Sequence, residues 1–513
     1  MCFMRAIPRL HPVSLLTVML LQRLCLAGLS ARLTVSPADM ESFCGTRNAK
    51  LVFASRDPQS VSFLYFVDFS EPVPSIEKMA NTDGAALPVI SPDGGMVTFV
   101  TGVRGDGTTN SRSTVWVCEL SGDAEPMKVA DSGYVPRFKQ NAPTPTIIYS
   151  TCNNNGDQPM WNGCGAVIEH SVGSGSTGEV WEGGSYYGGL SWDGRYLAHS
   201  ESGMSAFILD RESGGTTPVS VHELTVRKEA TGEDTTIALQ TCNPSISGSR
   251  VFTDMIMFYD FSSSGITDAG CSHPILGTWG FHDRIFITGI DKRVRRVYDI
   301  PAEPAVVPQS RIEGKGEIVG KQWGFPEWSN HPYYAVSSLQ TDRIWLRGGP
   351  PYKRVGKRES IYCINLKDSL YLKMVETTDS SYESTVDLQN PWLWIETPAA
   401  FASVEDDRWL LHPYGSEAYR SYRASASVDG SPAARRFQAP AGIVGTRLVA
   451  SNPVKRIVLL RPDGRTMLTA EGNGARTIDI RPLLMRTAEG IVVLRILYGH
   501  GAESLIAFRP RSS

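Results

Sequence analysis

Two short strings in this chain, Ser91-Pro92-Asp93-Gly94 and Ser191-Trp192-Asp193-Gly194, carry the same turn chemistry in the same setting. Each follows apolar residues, Leu87-Pro88-Val89-Ile90 and Gly189-Leu190. Each precedes a β-type run, Met96-Val97-Thr98-Phe99-Val100 and Arg195-Tyr196-Leu197-Ala198-His199. A third run comes later in both, at Val115–Cys118 and Ala206–Asp210. Asp-Gly supplies a side-chain acceptor and a permissive backbone for a tight hairpin, so the unit reads as strand, turn, strand, loop, strand. The two serines stand 100 residues apart (191 minus 91), two units of about 50, with a degenerate copy between them at Val135-Pro136-Arg137-Phe138 and Ile147-Ile148-Tyr149. A period of this size marks a propeller or a solenoid.

Further copies occur at Asn243–Ser247 with Arg250-Val251-Phe252, at Thr278–Phe281 with Arg284–Ile287, and at Phe325–Ser329 with Tyr333–Val336. Ile361–Leu366 reads as a late strand of the last of these. No long stretch of helical apolar period intervenes, so the fold class is all-β. The first copy, Leu51–Ala54 with Val61–Phe69, lacks its opening strand. Such a blade is completed from the other end of the chain, which removes the exposed edges, and Pro391-Trp392-Leu393-Trp394 is the expected closing strand. A ring of six or seven blades fits.

Residues 1–31 have the form of a secretory signal: Arg5 and Arg9, a short apolar run at Val13–Leu21, and a small-residue cleavage zone at Leu26–Ala31. The run is too short for a stable transmembrane segment, and Gln22-Arg23-Leu24 before Cys25 does not make a lipoprotein box. The remaining chain holds Cys44, Cys118, Cys152, Cys164, Cys242, Cys271 and Cys363, an odd number, so at least one thiol stays unpaired in an oxidising compartment. Cys152 and Cys164 flank a polar loop and form one expected disulfide; Cys242 and Cys271 form a second. None lies in the close pairs that zinc sites use.

The Ser-x-Asp-Gly units and the apolar strands after them resemble the WD40-like repeats of TolB-type β-propellers. The segments 183–197, 243–252, 273–287 and 326–334 further resemble a family of secreted bacterial propeller proteins without an assigned activity. The resemblance covers about Lys50 to Ala400 and implies a propeller over residues 40–423. Residues 424–439 are small, polar and charged, as in a linker. The short strands of 440–513 are expected to form a small C-terminal β-sandwich. Within it Asn452-Pro453-Val454, the Arg461-Pro462-Asp463-Gly464 turn and Glu489–Arg495 resemble, in their order, the C-terminal sorting domains of the type IX secretion pathway. That resemblance implies an export machinery as partner.

The chain has no GxSxG elbow, HExxH, Walker A loop or strand-borne GxGxxG, so no residue is assigned a catalytic role. Glycines at 173, 175 and 178 belong to a loop between strands, and Asp93 and Asp193 to hairpin turns rather than to calcium. The nine histidines are dispersed, so no metal or other cofactor is expected from local spacing; His273 and His331, each before proline, read as turn residues. With 50 Lys+Arg against 53 Asp+Glu and no basic stripe, nucleic acid is not an expected partner.

Topology points elsewhere. In a propeller the loops between second and third strands share a face with the connections into each first strand, and ligands bind there. That face is expected to carry Trp161 in the Cys152–Cys164 loop, Tyr186 and Tyr187 in the stretch 183–189, and Trp279, aromatic rings suited to stacking on sugars or packing on a protein. The expected function is an exported, secreted, surface or periplasmic module that binds a protein or polysaccharide. The alternative is a carbohydrate-active enzyme, such as a metal-dependent polysaccharide lyase whose separated histidines converge in the channel.

Overall fold

The computed structural model describes residues 29–396 except 57–60, 103–112, 153–163, 185, 202–204, 219–223, 228–232, 238–240, 248–249, 251, 261–270, 274–276, 280–281, 302–316, 346–352 and 379–385. Beyond 396 it describes residue 410 and the seven strands of a second unit. The chain divides into two compact units, Met1–Tyr422 and Arg423–Ser513.

The first unit opens with strand β1 (Ala31–Leu33) and helix α1 (Pro37–Cys44). The helix starts on a reciprocal cap, in which the Ser36 hydroxyl accepts from the Asp39 amide and the Asp39 carboxylate accepts from the Ser36 amide; it stops at Gly45, whose φ of +79° few side chains tolerate. The next strands are β2 (Ala49–Arg56), β3 (Ser62–Asp68) and β4 (Glu77–Lys78), then β5 (Ala85–Ile90), β6 (Met96–Thr101), β7 (Thr114–Glu119) and β8 (Met127–Ala130). A third set is β9 (Tyr134–Phe138), β10 (Thr146–Cys152), β11 (Cys164–Ser171) and β12 (Thr177–Gly184). A fourth is β13 (Tyr186–Leu190), β14 (Tyr196–Glu201), β15 (Ser205–Asp210) and β16 (Gly215–Pro218), followed by a separate hairpin, β17 (Leu224–Arg227) and β18 (Asp234–Ile237).

The fifth set contains β19 (Thr241–Ile246) and β20 (Ile256–Asp260), an inserted hairpin of β21 (Cys271–His273) and β22 (Gly277–Trp279), then β23 (Arg284–Thr288) and β24 (Val294–Asp299). The sixth is β25 (Glu317–Trp328), β26 (Tyr334–Trp345), β27 (Lys353–Asn365) and β28 (Leu370–Thr377). Strand β29 (Gln389–Ile395) completes the unit. Apart from the separate hairpins β17-β18 and β21-β22, each set is one antiparallel sheet, and the innermost strands β29, β5, β9, β13, β19 and β25 touch in that order and close on themselves, which makes a six-bladed propeller. The repeat at Thr278–Phe281 with Arg284–Ile287 is therefore not a blade of its own. Its first part is the inserted hairpin, and its second is the third strand of the fifth blade, paired to β20.

The ring is fastened from both ends of the chain. Strand β29 enters the first sheet beside β2, with Leu51 opposite Leu393 and Val52 opposite Trp392, as the incomplete first copy requires. The N-terminal β1 adds a fifth strand to the outside of the sixth blade, with Ala31 opposite Thr377 and Leu33 opposite Val375. Strand β1 and the first turn of α1 precede residue 40. The neighbouring turns grip β29: Trp394 donates its indole N–H to the Pro92 carbonyl at 2.8 Å, while the Asn330 side-chain amide donates to the Ile395 carbonyl and accepts from its N–H, both at 2.8 Å.

The two Ser-x-Asp-Gly turns are chemically identical. Ser91 and Ser191 donate their hydroxyls to Asp93 and Asp193 and accept from the amides of Met96 and Tyr196 at 2.9 Å; Gly94 and Gly194 sit at φ +74° and +76°. The sixth blade substitutes histidine for the aspartate: the Tyr333 amide donates to His331 Nδ1 at 3.2 Å, two residues on, as Gly95 does to Asp93. This is the turn role read for His331 from sequence. Gly94 has a second duty, because a Cβ there would stand 2.7 Å from the Trp394 ring. We expect Gly94→Ala to lower the urea unfolding midpoint, at a cost of about 2 kcal/mol from the left-handed backbone and the clash together. An unchanged midpoint would show that the turn does not hold the closing strand.

In the second unit the described strands are β30 (Ala441–Val444), β31 (Arg447–Ala450), β32 (Val454–Leu460), β33 (Thr466–Glu471), β34 (Thr477–Asp479), β35 (Val492–Tyr498) and β36 (Glu503–Phe508). They form one sheet in the order β30-β31-β34 and another in the order β33-β32-β35-β36, both antiparallel.

Candidate functional site

The inner strands share a device. Five of the six contain a residue with left-handed φ immediately before a proline: Leu87 (+53°), Val135 (+49°), Asn243 (+53°), Phe325 (+53°) and Asn390 (+48°). The sixth has Gly189 at +111°. At each the register against the second strand slips, as between Ala86 and Val89 or between Gly324 and Glu327. A bulge of this kind bends the strand and re-aims the next side chain, and proline fits because that position has no ladder bond to give. The residues after the proline are Val89, Arg137, Ser245, Glu327 and Trp392, all at most 5% exposed. The bulges therefore set a buried layer where the blades meet.

Two members of that layer are charged. Arg137 on β9 and Glu327 on β25 come from blades three apart in the ring, yet Arg137 Nη2 donates to Glu327 Oε1 at 2.6 Å. The guanidinium carbon lies 5.2 Å from the centre of the Trp392 ring on β29. Burial pushes the Glu327 carboxyl up from its usual range, while the Arg137 charge, Ser245 and Asn243 oppose that shift. The Asn243 amide donates to the Pro326 carbonyl at 3.3 Å, and Ser245 Oγ accepts from the Trp328 amide at 2.9 Å. Side chains of blades one, three, five and six thus meet at one ion pair. Chemically this is a tie across the inner strands, with charge balanced and ring-covered.

The residues expected to bind fall as follows. Trp161 lies outside the described residues. Tyr186 and Tyr187 are on β13 itself, opposite Ser200 and His199, so they belong to an inner strand rather than to a loop leading into it. Trp279 is on β22, opposite Cys271, in the connection between the second and third strands of the fifth blade, and not at the start of a first strand. Of the cysteines, Cys152 and Cys164 are register partners at the end of β10 and the start of β11, just past a register shift between Thr151 and Cys152. Cys242 is on β19 opposite Tyr259, and Cys271 on the inserted hairpin.

His273, read from sequence as a turn residue, is instead the last residue of β21, opposite Gly277. The other four described histidines stand in separate settings. His170 is on β11 opposite Ile147, and His331 is in the sixth blade's turn. His199 is packed between Trp181 and Phe207, with centroids at 4.6 and 5.3 Å, and His282 stands edge-on to Tyr259 at 4.0 Å. Burial holds all four below the ordinary histidine pKa, His199 at about 4 and His282 and His331 at about 3. Among the described residues no group of three or more His, Cys, Asp or Glu could hold a metal ion, and no helix is long and apolar enough to cross a membrane.

No protein-family model and no curated protein sequence matches the chain. Among solved structures it is similar to a chain of a nidogen/laminin complex at 8% identity, covering 67% of this chain and 98% of that one with a TM-score of 0.37. It is similar to the hydrazine synthase of Kuenenia stuttgartiensis at 13% identity, covering 64% and 95% with a TM-score of 0.32. A third is the β-propeller domain of the Trilobed protease from Pyrococcus furiosus, at 11% identity, 65% and 93% coverage and a TM-score of 0.29.

Proposed function

We propose that this propeller is an exported binding module of TolB type that engages a protein or polysaccharide at the cell surface or in the periplasm. The observation that carries the reading is the contrast between the two faces of the ring. On one face the first and second strands are joined by tight turns, 91–95, 191–195 and 329–333, braced by serine with aspartate or histidine. From the other face leave the connections 102–113 and 153–163, and the 261–283 connection with its own hairpin. Connections of ten residues or more around a rigid ring are how scaffolds of this kind present contact residues. Trp161, Tyr186, Tyr187 and Trp279 are the proposed contacts, and the Cys152–Cys164 disulfide would fix the ends of the first of their loops. The second unit is proposed to serve export or attachment, as its likeness to type IX sorting domains implies.

The test is a pull-down of the purified full chain on a panel of insoluble plant and microbial polysaccharides, with and without Mn²⁺ or Ca²⁺, while soluble products are quantified. Retention on one polymer, reduced at least about tenfold by replacing Trp161 or Trp279 with alanine, is the expected result. Metal-dependent release of soluble fragments would overturn the non-catalytic reading in favour of a lyase. Retention unaffected by all four aromatic substitutions would overturn the assignment of the face.

A further inference from the structure

We propose that Cys44 and Cys363 form a disulfide, a covalent site that fastens the N-terminal helix to the sixth blade. Cys44 is the last residue of α1, and Cys363 lies in β27, opposite Val336 of β26 and Leu372 of β28. Both are buried in the same apolar cluster, Cys363 completely; in this structure each is a free thiol, and the Cys44 side chain is a neighbour that raises the Cys363 thiol further. The helix end is held there independently of the sulfurs. Tyr334 donates its hydroxyl to the Phe43 carbonyl at 3.0 Å, the two rings lie 6.1 Å apart, and the Thr34 amide donates to the Met374 carbonyl at 2.9 Å. The two cysteines are therefore brought together by a segment already docked on β26 to β28.

The pairing also bears on the odd cysteine count. If the Cys152–Cys164 and Cys242–Cys271 pairs expected from sequence form as well, Cys44–Cys363 leaves Cys118 as the one thiol among the seven cysteines after residue 31. Cys118 is buried in the second blade, and burial together with Glu119 pushes its thiol up to about 12, where it is a poor nucleophile.

The oxidant is a small-molecule disulfide such as glutathione disulfide. One cysteine thiolate attacks it and releases one glutathione thiol; the second thiolate attacks the mixed disulfide and releases the other. Two S–H bonds are lost, one protein S–S bond forms, and the two electrons reduce the oxidant to two thiols. Burial of Cys363 raises its pKa well above the ordinary value, so exchange belongs to the folding chain, before α1 seals the site.

The experiment refolds the full chain in a glutathione redox buffer, alkylates the remaining thiols after denaturation, and maps non-reduced peptides by mass. A linked peptide joining Cys44 to Cys363, with Cys118 alkylated, is the expected result. In Cys44→Ser the map should instead return Cys363 as an alkylated thiol. Recovery of Cys44 and Cys363 of the unsubstituted chain as alkylated thiols, or linkage of either to another cysteine, would overturn the proposal. The wild-type map decides the matter even where a variant fails to fold, and its outcome is independent of any polysaccharide bound.

Discussion

Replacing Arg137 with methionine is expected to destabilise the propeller by about 3–5 kcal/mol, read as a fall in the urea unfolding midpoint monitored by tryptophan fluorescence. The cost comes from what is left behind. Glu327 is 5% exposed, and its Oε2 already has no hydrogen-bond partner among the described residues; without Arg137 its only charge-assisted contact, at Oε1, is lost as well. Glu327→Gln should cost less, because an amide in that place is neutral and its oxygen can still accept, but it leaves the Arg137 guanidinium buried without its counter-charge, against the Trp392 ring and the Pro136 carbonyl. The double variant Arg137→Met, Glu327→Met removes both charges from the layer and should recover most of the lost stability, since a buried ion pair is rarely more stabilising than apolar groups of similar volume. If instead the two single losses simply add, the pair is not coupled and the tie across the ring has no energetic content. Binding on the outer face should survive in whichever variant folds, which separates this tie from the proposed contact residues.

The parts of this fold that could be read from the chain were those encoded over a few residues. Ser91 to Gly94 specifies its turn through a hydroxyl, a carboxylate and a glycine within four positions, and the same four chemistries recur at Ser191. The closing strand was legible because Pro391 to Trp394 is a β-type run left without a partner in its own neighbourhood, while the first copy lacked a strand. The blade number was harder: the inserted hairpin of β21 and β22 looks, in one dimension, like the opening of another repeat. Nothing local distinguishes a strand that pairs outside its blade from one that pairs within it. Helix α1 escaped notice because eight residues give too little periodicity, although Ser36-Pro37 with Asp39 three residues after the cap was a readable start signal. The buried layer had a signal too, in the recurrence of proline at the same place in five inner strands. The Arg137–Glu327 bond had none, since its partners are 190 residues apart and meet only once the ring has closed.

Acidification supplies the second large effect. An unfolded histidine takes up a proton near pH 6.5, whereas in the native ring burial keeps His199 neutral to about 4, and His282 and His331 to about 3. Each imidazole therefore contributes stability that is complete above pH 6.5 and is lost as the pH falls toward its folded value, because the unfolded chain binds the extra protons. Each contributes a slope of about 1.4 kcal/mol per pH unit in that window, so three together remove several kcal/mol between pH 6.5 and 5. The described surroundings are those in which burial dominates. His199 sits between Trp181 and Phe207 with neither ring nitrogen hydrogen-bonded among the described residues, His331 lies against Tyr333 and Tyr334, and His282 faces Tyr259 with the Arg358 charge opposing protonation. His331→Asn is the informative variant, since its amide oxygen can accept from the Tyr333 amide as Asp93 does from Gly95 but does not titrate. It should match the original chain at pH 7.5 and flatten the pH dependence of the urea midpoint below 6.5 by about one proton's worth. His199→Leu should do the same at its own site. A midpoint that stays level from pH 7.5 to 4.5 in the original chain would mean that these imidazoles reach solvent in the native state.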